Sequence, residues 1–160
     1  MKRALLPVTL SLIGLAGCGS TPEPAAPAKP VAAPAPKEVP DHTSLFPDKG
    51  KVATRIVPDH ILDMKKLPGG SVADYDVKGT KYQMFIVDAD SNQNAAFMML
   101  DMRDEMQSKP EYIAYMGGYF GSYGDKPFYC FAKLHYLAGV VGLPKAKADP
   151  LMRDLAAQLH

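Results

Sequence analysis

Apolar positions along this chain fall into three stretches of different spacing, and each marks a different kind of segment. Behind Lys2 and Arg3, residues Ala4–Leu15 are mostly apolar. From Thr21 to Pro40 there is no period, only seven prolines and six alanines with little between them. From Leu45 onward the chain breaks into short apolar blocks separated by Gly, Pro, Asp and Asn, which is the punctuation of a mixed fold.

Within that third part, Val52–Val57 has strand character. Pro58–Met64 reads as a short helix ending before Pro68-Gly69-Gly70, with the Gly pair marking a turn. Val72–Val77 and Lys81–Val87 are β-rich runs joined by Lys78-Gly79-Thr80, which predicts a hairpin. Met84-Phe85-Ile86-Val87 has no polar alternation, so this strand should be central and covered on both faces.

Asp88–Asn94 is a polar break with helix-start chemistry: Asp90 or Ser91 can cap, and Gln93 follows Asp90 by three. The helix it opens should run to Gln107 or Ser108 and stop before Pro110. At 100° per residue, Ala95, Met98, Met99, Met102 and Met106 fall on one face. Glu111–Met116 reads as a strand, Gly117–Asp125 as a Gly-aromatic loop, and Pro127–Ala132 and Leu134–Val141 as two more strands. Asp149-Pro150 has the form of a cap and first turn for a last helix, whose apolar face carries Leu151, Met152, Leu155 and Leu159. Helices and strands mixed with hairpin-length links predict an α+β fold: a single, mostly antiparallel sheet with helices packed against it and a C-terminal helix.

The N-terminal part sets the address. Two basic residues, a dozen mostly apolar ones and then Leu15-Ala16-Gly17-Cys18 resemble the signal and lipobox of a bacterial lipoprotein. The apolar run is too short for the roughly 20 residues that a membrane-spanning helix needs. The resemblance implies a diacylglycerol on the Cys18 thiol, cleavage in front of it, and palmitate-type acyl chains holding the protein to the membrane. Gly19, where inner-membrane lipoproteins often have aspartate, implies the outer membrane and a domain facing the periplasm. The organisation is then signal peptide 1–17, Pro/Ala-rich tether 18–40 and a single domain 41–160. As an extended polyproline-like spacer at about 3.1 Å per residue, the tether would reach roughly 60 Å.

Charge and cysteine content narrow the rest. Residues 41–160 hold 14 Lys+Arg and 15 Asp+Glu, with no basic stripe, which argues against nucleic acid as a partner. With Cys18 given to lipid, Cys130 is left without a mate for an intramolecular disulfide, so the domain must be held by its apolar core. Cys130 sits in Phe128-Tyr129-Cys130-Phe131 and is expected to be buried.

The string Asp88-Ala89-Asp90-Ser91-Asn92-Gln93-Asn94-Ala95-Ala96-Phe97 is similar to a strand-end, helix-start motif in a bacterial family of exported proteins with a domain of unknown function. The order of elements from Leu67 to His160 also resembles that family, with a shorter stretch between Gly70 and Tyr82. The resemblance implies no activity.

Candidate chemistry is sparse. Met98, Met99, Met102 and Met106 are soft ligands of the kind that hold Cu(I), and equally good core filler. His60 beside Asp59 and three residues before Asp63 could form an acid–base pair, although Asp59 also suits a helix cap. His135 stands alone in a strand-like run. No nucleophile elbow, Walker loop, HExxH or paired CxxC is present. The best ligand-binding candidates are Tyr119, Phe120 and Tyr123 in the Gly-aromatic loop, a platform for flat or sugar-like surfaces unless they fold back on the sheet. Together these point to a membrane-anchored envelope module that binds or scaffolds an envelope protein or glycan, without a cofactor. The alternatives are an enzyme with an unfamiliar site around His60 or His135, or a Met-based copper or haem carrier.

Overall fold

A computed structural model describes residues 38–160, within one compact unit, Pro36–His160. The signal segment, Cys18 and most of the Pro/Ala-rich stretch lie outside the described residues. Seven strands form one antiparallel sheet: β1 (Lys51–Asp59), β2 (Pro68–Val77), β3 (Thr80–Asp88), β4 (Glu111–Ile113), β5 (Gly118–Tyr123), β6 (Lys126–Lys133) and β7 (Tyr136–Val141). Their order across the sheet is β1-β2-β3-β7-β6-β5-β4. Helix α1 (Asn92–Glu105) links β3 to β4, and α2 (Lys145–Gln158) closes the chain. No helix among the described residues is long and apolar enough to cross a membrane.

The sheet has two apolar faces, and the unalternating strands are the ones covered on both. Met84, Ile86, Tyr129, Phe131, Ala138 and Val140 point to the α2 side, where Met152, Leu155 and Leu159 meet them. Phe85, Val87, Phe128, Cys130, Leu137 and Val141 point to the α1 side, against Met64 and Met102. Period-two side-chain geometry does this: neighbours along a strand must face opposite layers, so two covered faces need a continuous apolar run. The predicted α+β architecture and the central position of β3 are therefore both found.

Local signals fix several joints. Lys78 and Gly79 both have positive φ (51° and 79°) in the two-residue turn between β2 and β3, the twist-compatible geometry for a tight hairpin. Ser91 caps α1, its Oγ accepting the Asn94 N–H at 3.1 Å. The methionine stripe faces inward: Met102 is buried, and Met98 and Met99 pack against the same cluster.

Six expectations need correction. Pro58–Met64 is not a helix: Pro58 and Asp59 finish β1, and a single 3-10 turn, Ile61–Asp63, follows with left-handed φ at His60, Leu62 and Asp63. Gly69 and Gly70 do not turn; both lie in β2, where a Cβ would sit 2.4 Å from the Pro58 and Ile86 carbonyl oxygens, respectively. Helix α1 ends at Glu105 rather than at Gln107 or Ser108, because Met106 is extended and Gln107 donates its N–H to the Ser122 carbonyl of β5. The strand expected over Glu111–Met116 stops at Ile113, and Gly117–Asp125 is mostly strand β5 rather than a loop.

The sixth concerns α2, which starts one turn before Asp149. Pro144 is its N-cap residue and accepts the Lys147 and Ala148 N–H groups through its carbonyl. Pro150 therefore lies inside the helix, and Asp149 is no cap. Its carboxylate accepts from Tyr115 Oη, from Tyr129 Oη (3.4 Å) and from Arg153 (2.8 Å), joining α2 to the turn after β4.

Edge strand β1 is exposed over most of its length, with Val52 and Ile56 in solvent. Pro58 and an irregularity between Lys51 and Ala53 interrupt it, features that discourage another strand from adding to an edge.

Candidate functional site

On the α1 side, beyond the reach of the helix, the 59–64 turn and the tip of the β5–β6 hairpin enclose a cleft of about 650 Å³. Arg55, Asp59, His60, Asp63, Gln83 and Tyr123 line it, with Asp125 and Lys126 at the hairpin tip. A neighbouring hollow of about 630 Å³ shares Gln83, Lys126 and Val141 with it and adds Asp74 and Lys81.

The strained turn places the imidazole. Asp59 Oδ1 accepts the backbone N–H of His60 at 2.9 Å, and its Oδ2 lies 3.0 Å from His60 Nδ1. A carboxylate only accepts, so Nδ1 carries the proton and, in the neutral ring, Nε2 keeps its lone pair. His60, Leu62 and Asp63 hold φ of 51°, 55° and 61°, a left-handed cluster that non-glycine residues seldom adopt. This arrangement orients a base without burying it, since both side chains are about half exposed.

Two residues of the lining, Arg55 and Gln83, are tied together by Asp74 of the neighbouring hollow. Asp74 pairs with Arg55 through one oxygen and accepts the Gln83 amide through the other at 2.6 Å. The three come from β1, β2 and β3, on the face not covered by apolar side chains there, and present planar donors and acceptors at fixed positions.

The aromatic candidates are divided by the pleat of β5. Tyr123 lines the cleft, its ring 6.0 Å from Phe128. Tyr119 shares that face but lies four residues away beside Tyr112 (5.3 Å), with the Arg103 guanidinium 5.8 Å from its ring. Phe120 points to the other face, edge-on to Tyr129 at 6.2 Å. The three do not make one platform, because alternate residues of a strand face opposite ways.

His135 occupies the β6–β7 turn with Nε2 3.8 Å from Asp88 Oδ2, and the same oxygen meets His42 Nε2 at 3.3 Å. The His42–Asp88 pair carried no local signal: 46 positions separate the two in sequence, and the antiparallel sheet with its N-terminal segment brings them together. Met102 and Met106 lie in the core with Met98 and Met99 packed against it, and among the described residues no group of three or more His, Cys, Asp or Glu is arranged to hold a metal ion. Cys130 is fully buried, and that burial pushes its thiol up to about 12, against a smaller opposing hydrogen bond from the Tyr119 backbone.

No family model matches this chain, and neither a curated protein nor a solved structure does at a significant level.

Proposed function

We propose that this protein is a lipid-anchored binding module of the bacterial cell envelope, held by Cys18 in the outer membrane, and that the His60–Tyr123 cleft takes a hydroxyl-rich ligand of the glycan class. One observation carries the reading: an aromatic ring, an oriented imidazole and the Arg55 and Gln83 side chains, both held by Asp74 of the neighbouring hollow, line one open cleft. Sugars offer an apolar ring face and a periphery of hydroxyls, and this lining supplies an aromatic body with donors and acceptors around it. Charges of both signs meet there, which suits a neutral polar ligand better than a strongly charged one.

Two experiments test it. Metabolic labelling with a palmitate analogue should mark the wild-type chain and not Cys18→Ser; a normally processed, unlabelled wild-type protein sinks the anchor. Titrating oligomers of β-1,4-linked N-acetylglucosamine into the Cys18→Ser chain should shift the NMR signals of Tyr123, Gln83 and His60, and Tyr123→Ala should remove the response. Shifts confined to other regions, or none, would reject the cleft as a glycan site.

A second reading is favoured by the Asp59–His60 geometry. With Asp59 on Nδ1, Nε2 is set to accept a proton, as a general base does. Hydrolysis of a bound ligand that vanishes in His60→Gln would move the assignment from binding to catalysis.

A further inference from the structure

The opposite face holds a second hollow with different chemistry. Between the β2–β3 hairpin and α2 runs a groove of about 680 Å³. Its lining is apolar: the stacked rings of Tyr75 and Tyr82 (4.8 Å apart, 1° between planes), with Val77, Met84, Leu143 and Leu151. Three lysines rim it, Lys49 before β1, Lys78 at the hairpin tip and Lys147 in the first turn of α2, against one carboxylate, Asp154. None of these lysines has an ion-pair partner among the described residues, whereas Lys51, Lys66 and Lys145 do. The combination is an apolar trough under an unneutralised positive rim.

We propose that this groove binds a single-chain fatty acid, the acyl chain lying along Tyr82, Met84 and Leu151 and the carboxylate among the three lysines. Charge sets the sign of the head: three cations against one anion select an anion and reject a cation of the same shape. Size sets the body. At about 680 Å³ the open groove is of the size that takes a small ligand such as one acyl chain with its carboxylate. Tyr75 and Tyr82 stack face to face and so form one continuous aromatic wall of the groove. Tyr75 is fastened by its hydroxyl to the Pro47 carbonyl at 2.7 Å, so this wall is formed before any ligand arrives.

The test uses the full Cys18→Ser chain with labelled methionine and leucine methyl groups, titrated with laurate below its micelle concentration. Dodecyltrimethylammonium, of equal chain length and opposite charge, is the control. Laurate is expected to give saturable shifts at the Met84 and Leu151 methyls, with at least tenfold higher affinity than the cation. Lys78→Glu/Lys147→Glu, two exposed changes that leave the core untouched, should lower laurate affinity at least tenfold. Equal affinity for the two amphiphiles, an unaffected double variant, or shifts centred on exposed Phe97 or Tyr112 would each overturn the proposal. The His60 and Tyr123 signals should stay still, so the outcome is independent of the glycan reading.

Discussion

The backbone N–H of His42 donates to the Ser71 hydroxyl at 2.9 Å, across 29 positions of sequence. Ser71 is fully buried within β2, and this bond supplies a polar partner there. The His42 ring extends the attachment, with Nε2 3.3 Å from Asp88 and its edge against Tyr136. The segment leading into β1 is thus fastened through both backbone and side chain, and Phe46 follows it into the core. Ser71→Ala leaves the His42 N–H without its acceptor and should cost about 1–2 kcal/mol. Urea denaturation checks the stability, and faster amide exchange at His42 checks the cause; an unchanged exchange rate would mean the attachment rests elsewhere.

Asp149 gives the protein an acid-sensitive joint. The Tyr115 hydroxyl, then Arg153, hold its carboxyl below the usual value of 3.8. A folded-state value below the unfolded one contributes stability above 3.8, and that contribution is lost as pH falls through the folded value. Asp149→Asn should therefore lower stability at neutral pH and flatten the fall below 3.8. Denaturation midpoints measured from neutral to strongly acidic pH test this, and a parallel curve for the variant would contradict it.

Cys130 should be inert in the native state. Burial raises its thiol to about 12 from 9.0, so iodoacetamide at mildly alkaline pH should label it only after denaturant is added. The sign for stability is the reverse of the carboxylate case. Between 9.0 and about 12 the unfolded thiol ionises first, so stability falls with rising pH, and buried Tyr75 and Tyr129 add to the fall above 10.0. Cys130→Ala should remove part of that alkaline slope.

The methionines of α1 should separate by burial rather than by chemistry. Met102→Ala empties a fully buried site between α1 and the sheet and should cost about 2–4 kcal/mol. Met98, half-buried at the margin of the same cluster, should cost less than about 1.5 kcal/mol. Equal losses in the two variants would indicate that α1 sits differently on the sheet.

Tyr123 and Phe120 offer a paired control for the cleft. Tyr123→Ala should abolish the glycan response, while Phe120→Ala, on the opposite face of β5, should leave it unchanged. Both should lower stability modestly, by about 1 kcal/mol. A response lost equally in both variants would point to unfolding rather than to a ligand contact.

Some of this architecture was legible in the chain alone. The run Met84–Val87 announced a strand covered on two faces, Lys78-Gly79-Thr80 a hairpin, and Asp90 or Ser91 with the methionine spacing a capped helix with one apolar face. Each depends on residues a few positions apart, so local periodicity and capping chemistry suffice. The misreadings have a common origin. A glycine admits both a turn and the close approach of a neighbouring strand, and in sequence the two look alike: Gly69 and Gly70 were of the second kind. Gly118–Tyr123 likewise became a strand because β6 pairs with it along its whole length. The candidate site was half visible, since His60 and Tyr123 each stood out but nothing placed them together. Register and sheet order decided that, by bringing β1, β3 and the β5–β6 hairpin to one side and His42 to Asp88 across the other end. Local sequence determined which elements form and which way their side chains alternate; the long-range pairing of strands, a property of the whole core, decided which of those side chains meet.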